Sequence, residues 1–372
     1  MNILIILPGL SINYNSIGFT ILGLEKFGYC PVIITSRSRG LKDPGMNSDY
    51  EEHGNTKIYR IVDKSLDIWK AKGTKTESLI SDIIVRHDVK MMFASTNGCF
   101  EISSYLSKKH SLPNVMMLEY IFHKERFFGY SKKRYLGINI LIPFAWKYYY
   151  NKYLKHHSAL LTFYNEEEKK SLKTSNTFFV PWCNQIPEGI QITNKKNNSI
   201  IFAGELTKLT IKDEFLTELA NILNENIVEE IHFVGYGNKL YKIEELKKVF
   251  ADRIIIHGSL PRNKVLELIG KAKYGIQPAT LGGWGFMGEC LALKTPLITL
   301  KSNKYRLQNK KNIIMVDRFD NISKELLIYN KNCVLYKQIQ DNGFDFYTNN
   351  HTGKVTAKYL SDIIKKILDE KN

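Results

Sequence analysis

Short apolar runs alternating with helical patterns, in two successive series, constrain this chain more than any other feature. In the first half, runs at 2–7, 30–35 and 89–94 are joined by stretches with apolar residues at helical spacing, over 16–27 and 101–108. Further runs at 114–118 and 159–163 continue the pattern, the first behind Leu112-Pro113 and the second ahead of a helix start around Glu166. A parallel strand pair needs a crossover long enough to hold a helix, so this alternation predicts parallel sheets. A stretch over 181–199 with two prolines, a glycine and a polar run interrupts it, and 183–198 reads as a linker. Beyond it strands are predicted at 200–203, 230–234, 253–257, 274–277 and 296–300, with helices over 212–224, 241–250, 263–272 and 286–293. Two similar α/β halves follow, over 1–182 and 199–350. A last segment, 351–372, carries an amphipathic helix over 353–368 that is apolar at Val355, Tyr359, Ile363, Ile364 and Ile367.

The bulk composition sets the class of partner. At 372 residues with 44% hydrophobic residues the chain can build real cores, which excludes disorder. Lys and Arg total 53 against 37 Asp and Glu, a formal charge of +16. Such an excess implies a partner rich in phosphate or carboxylate (a nucleotide, anionic lipid, nucleic acid or acidic glycan), beside the plainer account of a lysine surface that keeps the chain soluble. The five cysteines, Cys30, Cys99, Cys183, Cys290 and Cys333, are odd in number, scattered, and without histidines at ligand spacing, so a reduced compartment and no structural zinc are expected. The opening run lacks a basic lead and is too short for a signal peptide or a span, and no other apolar run reaches membrane length. The expected place is the cytoplasm.

Five segments of the second half, in order, resemble glycosyltransferase family 4, a branch of the GT-B fold. Ser199-Ile-Ile-Phe-Ala-Gly-Glu-Leu is similar to the strand and Gly-Arg-Leu turn that opens the family's donor domain, and Glu230-Ile-His-Phe-Val-Gly-Tyr-Gly to its strand ending in Gly-x-Gly. Arg253-Ile-Ile-Ile-His-Gly-Ser-Leu-Pro-Arg is similar to the next strand and turn, and Tyr274-Gly-Ile-Gln-Pro-Ala-Thr to the strand ending in Pro-Ser. Gly285-Phe-Met-Gly-Glu-Cys-Leu-Ala-Leu-Lys-Thr-Pro-Leu-Ile resembles the Gly-Phe-Gly, Glu-Ala-Met-Ala and Thr-Pro-Val-Ile series. The resemblance implies two Rossmann-like domains facing across a cleft, the C-terminal helix crossing back to the first, and sugar transfer from a nucleotide-sugar. It places the donor on Gly9, Gly204, Lys208, Gly235, Gly237, Leu260, Gly282, Gly283, Gly285 and Phe286. Those motifs fall at the carboxyl ends of strands, where open α/β sheets bind ligands. Glycines ahead of a helix predicted to begin near Phe286 leave amides and a positive helix end for a diphosphate.

By the same resemblance Glu289 accepts hydrogen bonds from ribose or sugar hydroxyls; an acidic residue favoured near a helix N-terminus is the structural account. The family's arginine is Glu205 here, Lys208 and Lys212 are the nearest cations, and Leu281 stands where an earlier glutamate is usual. On the acceptor side the candidates for a catalytic base are Glu119, after the run 114–118, and His123 nearby; a local ion pair of Glu119 with Lys124 or Arg126 is the alternative. Gly9 and Ser11 follow the first strand, where by the resemblance backbone amides approach donor or acceptor; a tight turn is the alternative for Gly9. No cofactor and no metal are expected, with amides and lysines neutralising the diphosphate.

The segment 121–157 mixes Lys124, Arg126, Lys132, Lys133 and Arg134 with Phe127, Phe128, Tyr130, Trp146 and Tyr148. Cations among interfacial aromatics suit an anionic membrane surface. They also suit single-stranded nucleic acid, or buried aromatics beneath a solvated lysine face. The membrane case implies a peripheral enzyme of lipopolysaccharide, capsule or other cell-surface glycan assembly, acting on a lipid-linked or polysaccharide acceptor. Two alternatives stay open: a phage-type glycosyltransferase that modifies DNA, and an inactive GT-B scaffold that binds nucleotide or polyanion. A dinucleotide oxidoreductase is disfavoured, because Gly235-Tyr-Gly-Asn-Lys-Leu lacks the third glycine.

Overall fold

A computed structural model describes residues 1–7, 16–37, 48–95, 99–118, 148, 151–152, 154–162, 176–187, 189–190, 192–193, 196–208, 210–278, 284–301 and 307–370. The chain divides into two compact units, Met1–Cys183 with Gly353–Asn372, and Asn184–Thr352.

The first unit holds an eight-stranded sheet in the order β3-β4-β2-β1-β5-β6-β7-β8. Its strands are β1 (Asn2–Ile6), β2 (Cys30–Ser36), β3 (Tyr50–His53), β4 (Thr56–Val62), β5 (Met91–Ser95), β6 (Asn114–Leu118), β7 (Ala159–Thr162) and β8 (Thr177–Phe179). All pair in parallel except β3 with β4. Helices cover both faces, which is why β1 reads as an unbroken apolar run rather than an alternation. Ile3 and Ile5 pack on one side with α1 (Ser16–Leu24) and α11 (Gly353–Asp369). Leu4 and Ile6 pack on the other with α3 (Lys75–Arg86) and α4 (Phe100–His110). The short α2 (Ser65–Trp69) lies between β4 and α3 in sequence.

Helix α11 closes the first core, and small residues decide how. A Cβ on Gly23 of α1 would stand 2.7 Å from Ala357 Cβ and 2.8 Å from the Gly353 carbonyl oxygen. Thr20 and Thr356 share a buried hydrogen bond of 3.0 Å at the same crossing. The buried stripe is therefore Thr356, Ala357, Leu360, Ile363, Ile364 and Ile367, whereas Tyr359 is exposed and Val355 half-buried. The face expected from Val355 and Tyr359 is corrected by about one residue, because a close helix crossing selects Thr and Ala over larger apolar side chains.

The second unit is a six-stranded, wholly parallel sheet in the order β11-β10-β9-β12-β13-β14. Its strands are β9 (Asn197–Ala203), β10 (Glu230–Val234), β11 (Ile254–Gly258), β12 (Ala272–Gln277), β13 (Leu297–Leu300) and β14 (Ile314–Val316). Helices α5 (Asp213–Asn224), α6 (Leu240–Phe250) and α9 (Ile322–Lys331) bury Phe215, Leu219, Ile243 and Leu326 against Ile200, Phe202, Ile231 and Phe233. Helices α7 (Arg262–Lys271) and α8 (Trp284–Ala292) pack against β9 and β12; there a Cβ on Gly275 would meet Cys290 Sγ at 2.4 Å. Helix α10 (Cys333–Asn350) lies against α8.

The segment expected as a linker over 183–198 is used otherwise. Asn197 and Asn198 open β9, and Asn184 is tied into the second unit. Its N–H donates to the His351 carbonyl at 2.9 Å, its Nδ2 to the Gly285 carbonyl at 2.6 Å, and its own carbonyl accepts from the Tyr347 hydroxyl at 3.1 Å. The Asn184 side chain, which reads as solvated linker, is here satisfied by helix backbone.

Candidate functional site

The order of the second sheet runs outward in opposite directions from β9 and β12, so the loops at their carboxyl ends part there and leave room for a ligand. On the β9 side the backbone is locked. Gly204 N–H donates to the Val234 carbonyl at 3.0 Å, Leu206 N–H to Tyr236 at 2.9 Å, Lys239 N–H to Leu206 at 2.9 Å, and Gly235 N–H to Gly258 at 2.8 Å. The two turns touch so closely that a Cβ on Gly235 would lie 1.9 Å from the Gly204 carbonyl oxygen, and one on Gly237 2.3 Å from that of Leu206. Gly235 also has φ +128°, a backbone open in practice to glycine. Leu206 is buried beneath the turns, and Tyr236, between the two glycines, is 70% exposed.

On the β12 side the wall is α8. It begins at Trp284 rather than Phe286, so Gly285 lies within its first turn and Glu289 in its second. Sequence periodicity misplaced this start because what sets it is tertiary: the Trp284 indole is fully buried and stacked on His351, with centroids 3.9 Å apart. One turn on, a Cβ at Gly288 would approach Trp284 Nε1 and Asn184 Nδ2 to 2.5 Å each. A helix opening of this kind, behind glycines, is the usual source of an anion-binding helix end, and the residues just ahead of Trp284 lie outside the described residues. Phe286 is a core residue, 6.2 Å from the Phe202 ring, so its side chain does not face a ligand. A Cβ on Gly285 would meet nothing within 4 Å, so space does not demand glycine there.

Glu289 is held by one named cation. Arg262 Nε lies 3.1 Å from its Oε1, with both side chains largely buried, and Arg262 Nη2 donates to the Gln185 carbonyl at 2.9 Å. Burial pushes the Glu289 carboxyl above its ordinary range, and Arg262 pulls it back. Arg262 opens α7 behind half-buried Leu260 and exposed Pro261, so the turn after β11 supplies both a residue expected at the site and this unforeseen partner. The buried Cys290 thiol is raised well above its usual range, which removes it as a nucleophile.

The cations expected beside a diphosphate part company. Lys208 is exposed on the β9 turn, as is Glu205. Lys212 turns its ammonium over the Phe319 ring, 5.8 Å from the centroid, and lines a groove of about 480 Å³ with Asp317 and Arg318. Lys196, read as part of a polar run, is instead a structural cation. Its Nζ donates to the Gly270 carbonyl at 2.6 Å, the Leu293 carbonyl at 3.0 Å and Thr295 Oγ1 at 3.1 Å, serving the carboxyl ends of α7 and α8 together. Burial lowers its pKa to about 8.

Gly9, Ser11, Glu119, His123, Leu281, Gly282 and Gly283 lie outside the described residues, as does nearly all of 121–157. Among the described residues no group of three His, Cys, Asp or Glu side chains is placed to hold a metal ion, and no helix is long and apolar enough to cross a membrane.

No protein-family model matches the sequence. No curated protein matches it either. Solved structures, in contrast, match over nearly the whole chain. Sucrose-phosphate synthase from Thermosynechococcus elongatus superposes with a TM-score of 0.75 at 10% identity, covering 99% of each chain. A glycosyltransferase from Rickettsia africae does so at 0.70 and 15% identity, over 99% of this chain and 98% of that one. Anabaena HepE, solved with UDP, gives 0.70 at 10% identity, over 98% of this chain and 100% of its own. The fold is that of the GT-B glycosyltransferases; at such identities the likeness is one of fold.

Proposed function

We propose that this chain is a glycosyltransferase that binds a nucleotide-sugar at the strand ends of its second unit and passes the sugar to an acceptor served by its first. The observation that carries this reading is the pair of glycine-locked turns after β9 and β10, set in a GT-B fold. The backbone bonds that hold these turns leave, among the described residues, the N–H groups of Glu205, Tyr236 and Gly237 unused. Preorganised amides are what a leaving nucleoside diphosphate needs, since charge builds on its terminal phosphate as the bond to the sugar breaks. The acceptor hydroxyl forms the new bond to the anomeric carbon and gives its proton to a base, for which Glu119 and His123 are the candidates. Glu289, held by Arg262, accepts hydrogen bonds from a donor hydroxyl. Gly282 and Gly283 extend the phosphate cradle, and no metal or other cofactor takes part.

The acceptor in this reading is a lipid-linked or polysaccharide glycan at the cytoplasmic face of an anionic membrane, reached through the cations and aromatics of 121–157. Exposed Glu205, in place of the family's arginine, favours a second reading, a scaffold that binds nucleotide without transfer. Thermal melting against a panel of nucleoside diphosphates and their sugars tests the proposal, because a ligand that binds only the folded state raises its stability. One nucleotide class should stabilise the protein and its sugar should be hydrolysed slowly without acceptor. Binding without hydrolysis or transfer selects the scaffold; no shift at millimolar ligand defeats both. Supplying duplex DNA in place of glycolipid to the labelled donor separates the DNA-modifying alternative.

A further inference from the structure

A second polar groove lies in the second unit between α10 and the segment ahead of β14, with a volume of about 290 Å³, close to the low end of small-ligand sites at about 300 Å³. Five of its eight lining residues are carboxamides. Asn342, Asp345, Phe346 and Asn349 share one face of α10 through their three- and four-residue spacings, opposite Gln308 and Lys311.

The two walls pack against each other. A Cβ on Gly343 would stand 3.0 Å from the Asn312 carbonyl oxygen, so helix and loop are in direct contact. Asn312 Oδ1 accepts from Gln308 N–H at 2.9 Å, and Asn309 Oδ1 from Met315 N–H at 2.8 Å, which fixes the loop from within. The Phe346 ring is braced 5.1 Å from His351, itself stacked on Trp284. Some amides thus build the loop, whereas among the described residues the side chains of Gln308, Asn342 and Asn349 meet no protein hydrogen-bonding partner.

The chemistry selects the ligand. Each amide offers donors and an acceptor together, the complement of hydroxyl groups that are also both. Lys311 and Asp345 cancel in charge, which gives no preference for an anion such as a nucleotide. An aromatic ring beside the amides supplies the apolar surface that a sugar's C–H face requires. We infer that this groove is a binding site for a short neutral saccharide, separate from the proposed donor site and independent of whether that site transfers sugar.

The labelled full-length protein is applied to a printed array of neutral and acidic glycans in saturating UDP, and the best neutral glycan is then titrated calorimetrically. Retention of neutral glycans is expected, with affinity falling at least tenfold in the double variant Asn342→Ala/Asn349→Ala. Both positions are partly or fully exposed, so the melting temperature should hold. Retention of acidic glycans only, of none, or of neutral glycans by wild type and variant alike overturns the inference. Failure of UDP to bind bears on the donor site and leaves this test intact.

Discussion

Replacing Arg262 by Met should destabilise the second unit in a way that depends steeply on pH. The change leaves the Glu289 carboxyl largely buried without its cation, and a lone buried charge takes up a proton rather than persist. For a carboxyl of ordinary pKa 4.5 entering the fold neutral, proton uptake costs about 1.36 kcal/mol per pH unit above that value, about 3.4 at pH 7 and about 0.7 at pH 5. The sign follows from the raised folded-state value: below 4.5 both states hold the proton and nothing is lost, and stability falls as pH rises through the window above it. Loss of the hydrogen bond to the Gln185 carbonyl adds about 1 kcal/mol at every pH. Hydrogen exchange of amides in α7 and α8, corrected for intrinsic rates, reads the local opening energy. Between pH 5 and 7 the gap from wild type should widen by up to about 2.7 kcal/mol, roughly a hundredfold in protection. The double variant Arg262→Met/Glu289→Met should abolish that widening. A gap constant with pH, or one that survives in the double variant, refutes the account of Glu289 as a buried carboxylate held by Arg262.

Glu289→Gln keeps the shape and an oxygen for Arg262, so the protein should melt within a few degrees of wild type while transfer falls at least tenfold; full activity removes Glu289 from the site. Gly235→Ala drives a methyl into the Gly204 carbonyl and should cost about 3 kcal/mol or more together with nucleotide binding, by melting and titration. Lys196, lowered to about 8 from an ordinary 10.5, binds its proton less readily folded than unfolded, so it makes stability rise between those values, by about 3 kcal/mol in all. Lys196→Met should flatten that rise in denaturant titrations at pH 7.5 to 10.5 and weaken the ends of α7 and α8 at every pH. Reversing the charges of Lys132, Lys133 and Arg134 should weaken sedimentation with anionic vesicles, most at low salt; unchanged sedimentation disposes of the membrane surface.

Local signals made the strand and helix order of the second unit legible from β9 to β13. Runs such as 200–203 are apolar because both faces of a parallel strand are covered, and that demand is written into consecutive residues. The glycines 235 and 237 were legible as a turn, though not why they must be glycine, since the atoms they avoid belong to Gly204 and Leu206 on another strand. Helices α9 and α10 escaped notice because much of their surface is polar. The groove on α10 is built from side chains that look like solvated surface until the segment 307–313 is brought opposite.

What the sequence determined alone is whatever depends on neighbours along the chain: the period of apolar residues, the turn after each strand, the chemistry available at each strand end. Tertiary structure decided what depends on residues far apart. It chose where α8 begins, through Trp284 on His351; which cation holds Glu289; and that Lys196 serves two helix ends instead of solvent. Burial and partner set the charge and aim of a side chain, and both come from segments that a linear pattern does not place together.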